Sequence, residues 1–146
     1  MTDHRIIEFN ESSEYILQQC NQQPTIGIIL GSGLGKLADK IETPTIIPYK
    51  DIPHFKTSTA IGHKGNMIIG RLGGQTVIAM QGRFHYYEGY TMQEVTYPVR
   101  VMHAMGIKKL MVSNAAGGIN PTFKVGDLML ITDNINLMLH PLIGKH

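Results

Sequence analysis

Charge and cysteine are both scarce in this chain. Only 16% of its 146 residues are charged, and 13 Lys+Arg against 11 Asp+Glu leave a formal +2. Charge this sparse and scattered argues against a nucleic-acid partner or an acidic membrane surface. Cys20 is the one cysteine, which excludes an intrachain disulfide and any zinc site built from several thiolates. No apolar run approaches the roughly 20 residues of a membrane-spanning helix. The opening Met1-Thr2-Asp3-His4-Arg5 lacks the apolar stretch of a signal peptide. Internal repeats, low-complexity tracts and interdomain linkers are missing as well. A soluble, reducing, cytoplasmic setting is the expectation.

Apolar residues make up 42% and glycine numbers 16, the composition of an α/β domain with many tight turns. Phe9, Ile16, Leu17 and Cys20 fall at helical spacing in a segment from about Phe9 to Asn21, ended before Pro24. Thr25-Ile26-Gly27-Ile28-Ile29-Leu30 reads as a buried strand opening into Gly31-Ser32-Gly33-Leu34-Gly35. Ile46-Ile47 is a further short strand, and Lys50 to Gly65 reads as a surface loop. Met67-Ile68-Ile69 and Thr76-Val77-Ile78-Ala79-Met80 flank Gly73-Gly74, a two-residue hairpin signal. Thr91-Met92-Gln93-Glu94 fits a capping box, with Val95, Val99 and Met102 as the buried stripe, Pro98 as a kink and Gly106 as the stop. Lys109-Leu110-Met111-Val112-Ser113 is a strand, and Leu128-Met129-Leu130-Ile131 is expected as the last one. Cys20 is expected to be buried and inert.

Function enters through where the strands stop. Three of them run straight into small or polar turns carrying Ser32, then Arg83 and His85, then Asn114-Ala115. In open α/β sheets ligands gather beyond the carboxyl ends of strands. If these ends are neighbours, a hydroxyl, a guanidinium, an imidazole and backbone amides meet at one spot, the donor set of an oxyanion site. The densest chemistry is Gln81-Gly82-Arg83-Phe84-His85-Tyr86-Tyr87-Glu88-Gly89-Tyr90. Arg offers phosphate a planar fork of donors, Tyr a flat face with a hydroxyl tip, and Glu88 stands where it could orient the His85 ring.

Each motif also has a plainer reading. Gly31 to Gly35 could be a nest of backbone amides feeding a helix N-terminus, or only a tight turn needing positive φ. It is no dinucleotide fingerprint, because Lys36 stands where the third glycine belongs, and it lacks the ending of a P-loop. Arg83 could pair with a surface carboxylate and His85 could be a satisfied interior histidine. Their company with Tyr87 and Glu88 favours the functional reading. His54 and His63 lack the helical spacing and nearby carboxylate of a metal pair, so no metal is expected.

On these motifs, with Gly62-His63 and Ser113-Asn114-Ala115-Ala116-Gly117-Gly118, the chain resembles the N-terminal part of a trimeric-class purine nucleoside phosphorylase, over essentially its whole length. The resemblance implies an α/β fold with a mixed, partly barrelled β-sheet flanked by helices, residues 1–146 forming the N-terminal part of a single domain. It implies that Ser32, His63, Arg83, His85 and the Ala115 amide hold orthophosphate, that Tyr87 and Asn114 serve the nucleoside, and that His85 and Glu88 act in catalysis. Purine nucleoside and inorganic phosphate would be the substrates, with no organic cofactor, in a homotrimer. The related methylthioadenosine-cleaving family is the alternative, although Phe84-His85-Tyr86-Tyr87-Glu88-Gly89 favours the purine branch. A non-catalytic phosphate- or nucleoside-binding fragment is the other.

The segment from Asn134 to His146 stops in Pro/Gly chemistry without a helix to cover the last strand. That leaves two expectations, a truncated piece or a flexible tail. In the family the base-gripping Glu and Asn come from the second half, with a further phosphate-binding Ser and a ribose-binding His. None has a position here, so a 146-residue product is expected not to catalyse well.

Overall fold

Met67-Ile68-Ile69 and Val77-Ile78-Ala79-Met80 are apolar at every position, so strands built from them need cover on both faces. The computed structural model, which describes residues 4–57 and 64–138, supplies that cover. Helix α1 (His4–Gln19) is followed by β1 (Ile26–Ile29), β2 (Glu42–Pro48), β3 (Asn66–Leu72), β4 (Gln75–Gln81), α2 (Met92–Ala104) and β5 (Lys109–Val112). Short 3-10 turns occupy Gly35–Lys40, Tyr49–Asp51 and Tyr86–Glu88.

The strands form one mixed sheet in the order β2-β3-β4-β1-β5. Alternate side chains go to opposite faces. Met67, Ile69, Ile78 and Met80 meet Ile16 of α1 and Val101 and Met102 of α2 on one face. Ile68, Val77 and Ala79 join Ile28, Leu30, Ala38 and Ile41 on the other. One face is thus roofed by the two helices and the other by the turn after β1.

Local chemistry fixes the elements as the sequence indicated. Gly73 and Gly74 take φ of 57° and 77°, the paired positive values of a two-residue hairpin turn, and Leu72 faces Gln75 across it. Thr91 Oγ1 accepts the Glu94 N–H while Glu94 Oε2 accepts the Thr91 N–H at 2.8 Å, so the capping box closes α2. Gly106 follows α2 with φ of 86°, satisfying the left-handed stop.

Several expectations change. The buried residues of α2 are Pro98, Val101 and Met102, with Val95 only partly buried, rather than the stripe Val95, Val99 and Met102. Leu128 to Ile131 form no strand and are exposed, Leu128 and Leu130 almost wholly. An apolar run becomes a strand only against a neighbour, and no described strand pairs with it. The residues after Gly31-Ser32-Gly33-Leu34 form a short 3-10 turn rather than an α-helix, so the motif does not feed an α-helix N-terminus. The segment from Lys50 is not all surface: Ile52 is buried beside Tyr49, and Phe55 packs on the same cluster. Cys20 lies just past α1 and is half-buried, its Sγ 3.3 Å from the Gln22 carbonyl.

Candidate functional site

The sheet order decides where the polar turns go. β1 lies between β4 and β5 and is parallel to both, with Ile29 level with Met80 on one side and Val112 on the other. The carboxyl ends of three adjacent strands therefore open onto the same edge of the sheet. From them emerge Gly31-Ser32-Gly33-Leu34-Gly35, Gly82-Arg83-Phe84-His85 and Ser113-Asn114-Ala115. These turns are far apart in the chain and neighbours in space.

Ser32 lines an open cavity of about 410 Å³ at this edge, together with Gly31, Gly33, Lys36, Lys64, Gln81 and Gly82. Arg83, His85 and Ala115 are not among its lining residues. Lys36 and Lys64 put positive charge on its wall, partly offset by Asp39. Sequence reasoning assigned neither lysine a role: Lys36 figured only as the residue that breaks a dinucleotide fingerprint, and Lys64 belongs to no local motif. Gln81 is also new. It is nearly fully buried at the end of β4, its Oε1 accepting from Asn66 Nδ2 at 3.3 Å and its Nε2 lying 3.4 Å from the Gly35 carbonyl.

Beyond Gln81 the chain is anchored by Phe84, 3% exposed and edge-on to Tyr49 at 5.4 Å and Tyr90 at 5.8 Å. Arg83 and His85, on either side of that anchor, stay half-buried. Arg83 Nη1 donates to the Ser113 carbonyl at 2.9 Å, joining the turn after β4 to the turn after β5. Beneath them the Tyr49 hydroxyl donates to the Gly82 carbonyl at 2.6 Å. Burial pushes the Tyr49 phenol well above its ordinary value, so it serves here as a fixed neutral donor.

His85 opens the 3-10 turn Tyr86–Glu88. Its backbone N–H donates to Glu88 Oε2 at 2.8 Å, and its Nδ1 lies 2.9 Å from the same oxygen. The two side chains are largely sheltered, 13% and 5% exposed. Tyr87 is exposed and stacks on the imidazole, ring centres 4.6 Å apart and planes 22° from parallel. The carboxylate and the phenol ring thus fix the imidazole plane from two directions. Asn114 and Ala115 are exposed, with Asn114 Nδ2 donating to the Ala115 carbonyl at 3.2 Å. His63 lies outside the described residues. His54 pairs with Glu11 instead of facing this edge. Among the described residues no group of three His, Cys, Asp or Glu could hold a metal ion, and no helix is long and apolar enough to cross a membrane.

A family model described as "Phosphorylase superfamily" matches residues 25–145. Purine nucleoside phosphorylase 1 of Bacillus subtilis (strain 168) is 58% identical over 136 residues, covering 92% of this chain and 50% of its own length. Among solved structures, isoform 2 of purine nucleoside phosphorylase from Schistosoma mansoni, in complex with cytosine and ribose-1-phosphate, aligns with a TM-score of 0.77 at 48% identity. That alignment covers 83% of this chain and 42% of the solved one. Schistosoma mansoni purine nucleoside phosphorylase in complex with inosine gives a TM-score of 0.76 at 48% identity, over 84% and 42%. The chain spans about half the length of the curated relatives it matches.

Proposed function

The chain belongs to the phosphorylase superfamily, and from that premise we propose that it carries the phosphate-binding part of a purine nucleoside phosphorylase site. The reaction is phosphorolysis of purine ribo- or deoxyribonucleosides such as inosine and guanosine, to free base and (deoxy)ribose 1-phosphate. The observation that carries this reading is the shared edge formed by the carboxyl ends of β4, β1 and β5. Relatives at this identity are purine nucleoside phosphorylases, one of them bound to inosine and another to ribose-1-phosphate.

In this mechanism Ser32, Arg83, His85 and the Ala115 amide hold orthophosphate, with His63 over it and Tyr87 and Asn114 on the nucleoside. The bond between ribose C1′ and purine N9 breaks through an oxocarbenium-like transition state, as in glycoside hydrolysis. Phosphate beneath C1′ stabilises the cationic sugar and then bonds to it, while the electron pair of the broken bond leaves with the base. Positioning and preorganised charge supply the acceleration, and the step calls on no organic cofactor or metal. Glu88 braces His85 through the contact at Nδ1. Homotrimeric assembly and a cytoplasmic setting belong to the same proposal, as does the placement of residues 1–146 within a single α/β domain.

A second reading has one observation in its favour. Ser32 lines the cavity while Arg83, His85 and Ala115 do not, which fits a site that binds phosphate or nucleoside without turning it over. Hypoxanthine release from inosine, followed with and without phosphate and paired with a direct phosphate titration, separates the two. Measured on the chain joined to the second half found in its relatives, phosphate-dependent release supports the enzyme, and binding without release supports the binding module. No binding and no release overturns both.

A further inference from the structure

Ser113 directly follows β5 and reaches both of the other turns. Its Oγ accepts the Gly31 N–H at 2.9 Å and donates to the Ile29 carbonyl at 3.2 Å, so one hydroxyl uses donor and acceptor capacity together. Its backbone N–H donates to that same carbonyl at 3.1 Å. Its own carbonyl accepts from Arg83 Nη1 at 2.9 Å. The approach to Gly31 leaves no room for a side chain there, because a Cβ on Gly31 would lie 2.3 Å from the Ser113 oxygen. Ser113 thus touches the root of the Ser32 turn and the guanidinium of Arg83, and both its hydroxyl and its carbonyl are engaged.

We propose that Ser113 is a positioning residue for the phosphate site: it aims the Gly31-Ser32 turn through its hydroxyl and seats Arg83 through its carbonyl. It does this without contacting the ligand. The inference rests on the phosphate-site reading above and adds to it the residue that holds the site's parts in register. A hydroxyl is required at this position, because an apolar side chain would leave the half-buried Gly31 amide without its acceptor. Threonine keeps the hydroxyl and should substitute for serine, whereas alanine should not.

The test titrates inorganic phosphate into the 146-residue chain as wild type, Ser113→Ala, Ser113→Thr and Arg83→Ala, at a temperature where each is folded. Amide resonances of Gly31 and Ser32 are recorded alongside. The expected result is phosphate affinity lowered about tenfold in Ser113→Ala, the size of one lost hydrogen bond, and restored in Ser113→Thr. The Gly31 resonance should move in the alanine variant and return in the threonine variant. A purely structural serine would lower the melting temperature and leave the affinity of the folded protein alone. Wild-type affinity in Ser113→Ala, with affinity lost in Arg83→Ala, overturns the inference and keeps the phosphate site. No phosphate binding by the wild type overturns both. Should Ser113→Ala fail to fold, Ser113→Cys takes its place, and undiminished affinity there overturns the inference equally.

Discussion

Glu88 Oε2 accepts the backbone N–H of His85 and lies 2.9 Å from its Nδ1, so one carboxylate oxygen holds both the main chain and the ring of the same histidine. Such a clamp sets the imidazole plane before any ligand arrives. Glu88→Ala removes both contacts, and hydrogen bonds to a charged group are worth roughly 1.5–3 kcal/mol. Phosphate affinity is therefore expected to fall about 10- to 100-fold. Calorimetric titration of inorganic phosphate measures it, and an unchanged affinity would remove the clamp from the site.

Arg83→Ala should raise the phosphate requirement steeply while leaving the fold intact. The side chain is half-buried and bonded to the Ser113 carbonyl, but the apolar clusters of the sheet do not depend on it. Loss of a charge-assisted donor fork should weaken phosphate binding by about two orders of magnitude. The circular dichroism spectrum should match wild type. Unchanged phosphate dependence would take Arg83 out of the site.

Tyr49 links core and site through its hydrogen bond to the Gly82 carbonyl, so Tyr49→Phe tests both. The buried carbonyl loses its donor, a cost of about 1–3 kcal/mol, read as a lower urea midpoint. There is also a sign in pH. Burial raises the phenol above its ordinary value of 10.0, so the unfolded chain releases this proton before the folded one does. The stabilisation is whole below pH 10 and declines as pH rises past it. The alkaline limb of the stability profile should flatten in Tyr49→Phe, and an identical limb would contradict the assignment.

At the start of α2 the sign reverses. The backbone hydrogen bond from Thr91, then its side-chain bond, holds the Glu94 carboxyl below the ordinary carboxylate value. Its contribution is present above the unfolded value and is lost as pH falls through the folded one. Thr91→Ala should cost about 1 kcal/mol at neutral pH, measured as a lowered melting temperature. The part of that deficit due to the Thr91 Oγ1 bond to Glu94 Oε2 should shrink in acid, while the part due to the Glu94 N–H bond to Oγ1 should persist, and no deficit at neutral pH would argue against the capping box.

How much of this could be read from the residues follows the range of the forces involved. Gly73-Gly74 and Thr91 to Glu94 act within four residues, and both turn and cap stand where their chemistry puts them. The convergence of Ser32, Arg83 and Asn114 turns required only that three apolar runs pair in parallel, which buried β-branched strands favour. Ser12 was invisible: it is fully buried on α1, donating to the Pro53 carbonyl at 2.7 Å and meeting Tyr97 Oη at 2.8 Å. Nothing in its local pattern announces partners 41 and 85 residues away. Tyr49 was hidden for the same reason, and so was Ser113, whose importance lies in two distant neighbours. Leu128 to Ile131 erred in the other direction, since apolarity alone does not supply a neighbouring strand.

Strand β1 comes first in sequence yet sits in the middle of the parallel trio, bonded to residues about fifty positions later in β4 and about eighty later in β5. Those closures are long-range and slow relative to hairpins or helices. On a ribosome, the three turns of the proposed phosphate site cannot meet until the chain past Ala115 has emerged and docked. On the proposed reading phosphate would bind only the folded arrangement of these three turns, and by mass action it would then add to the resistance of that arrangement to unfolding.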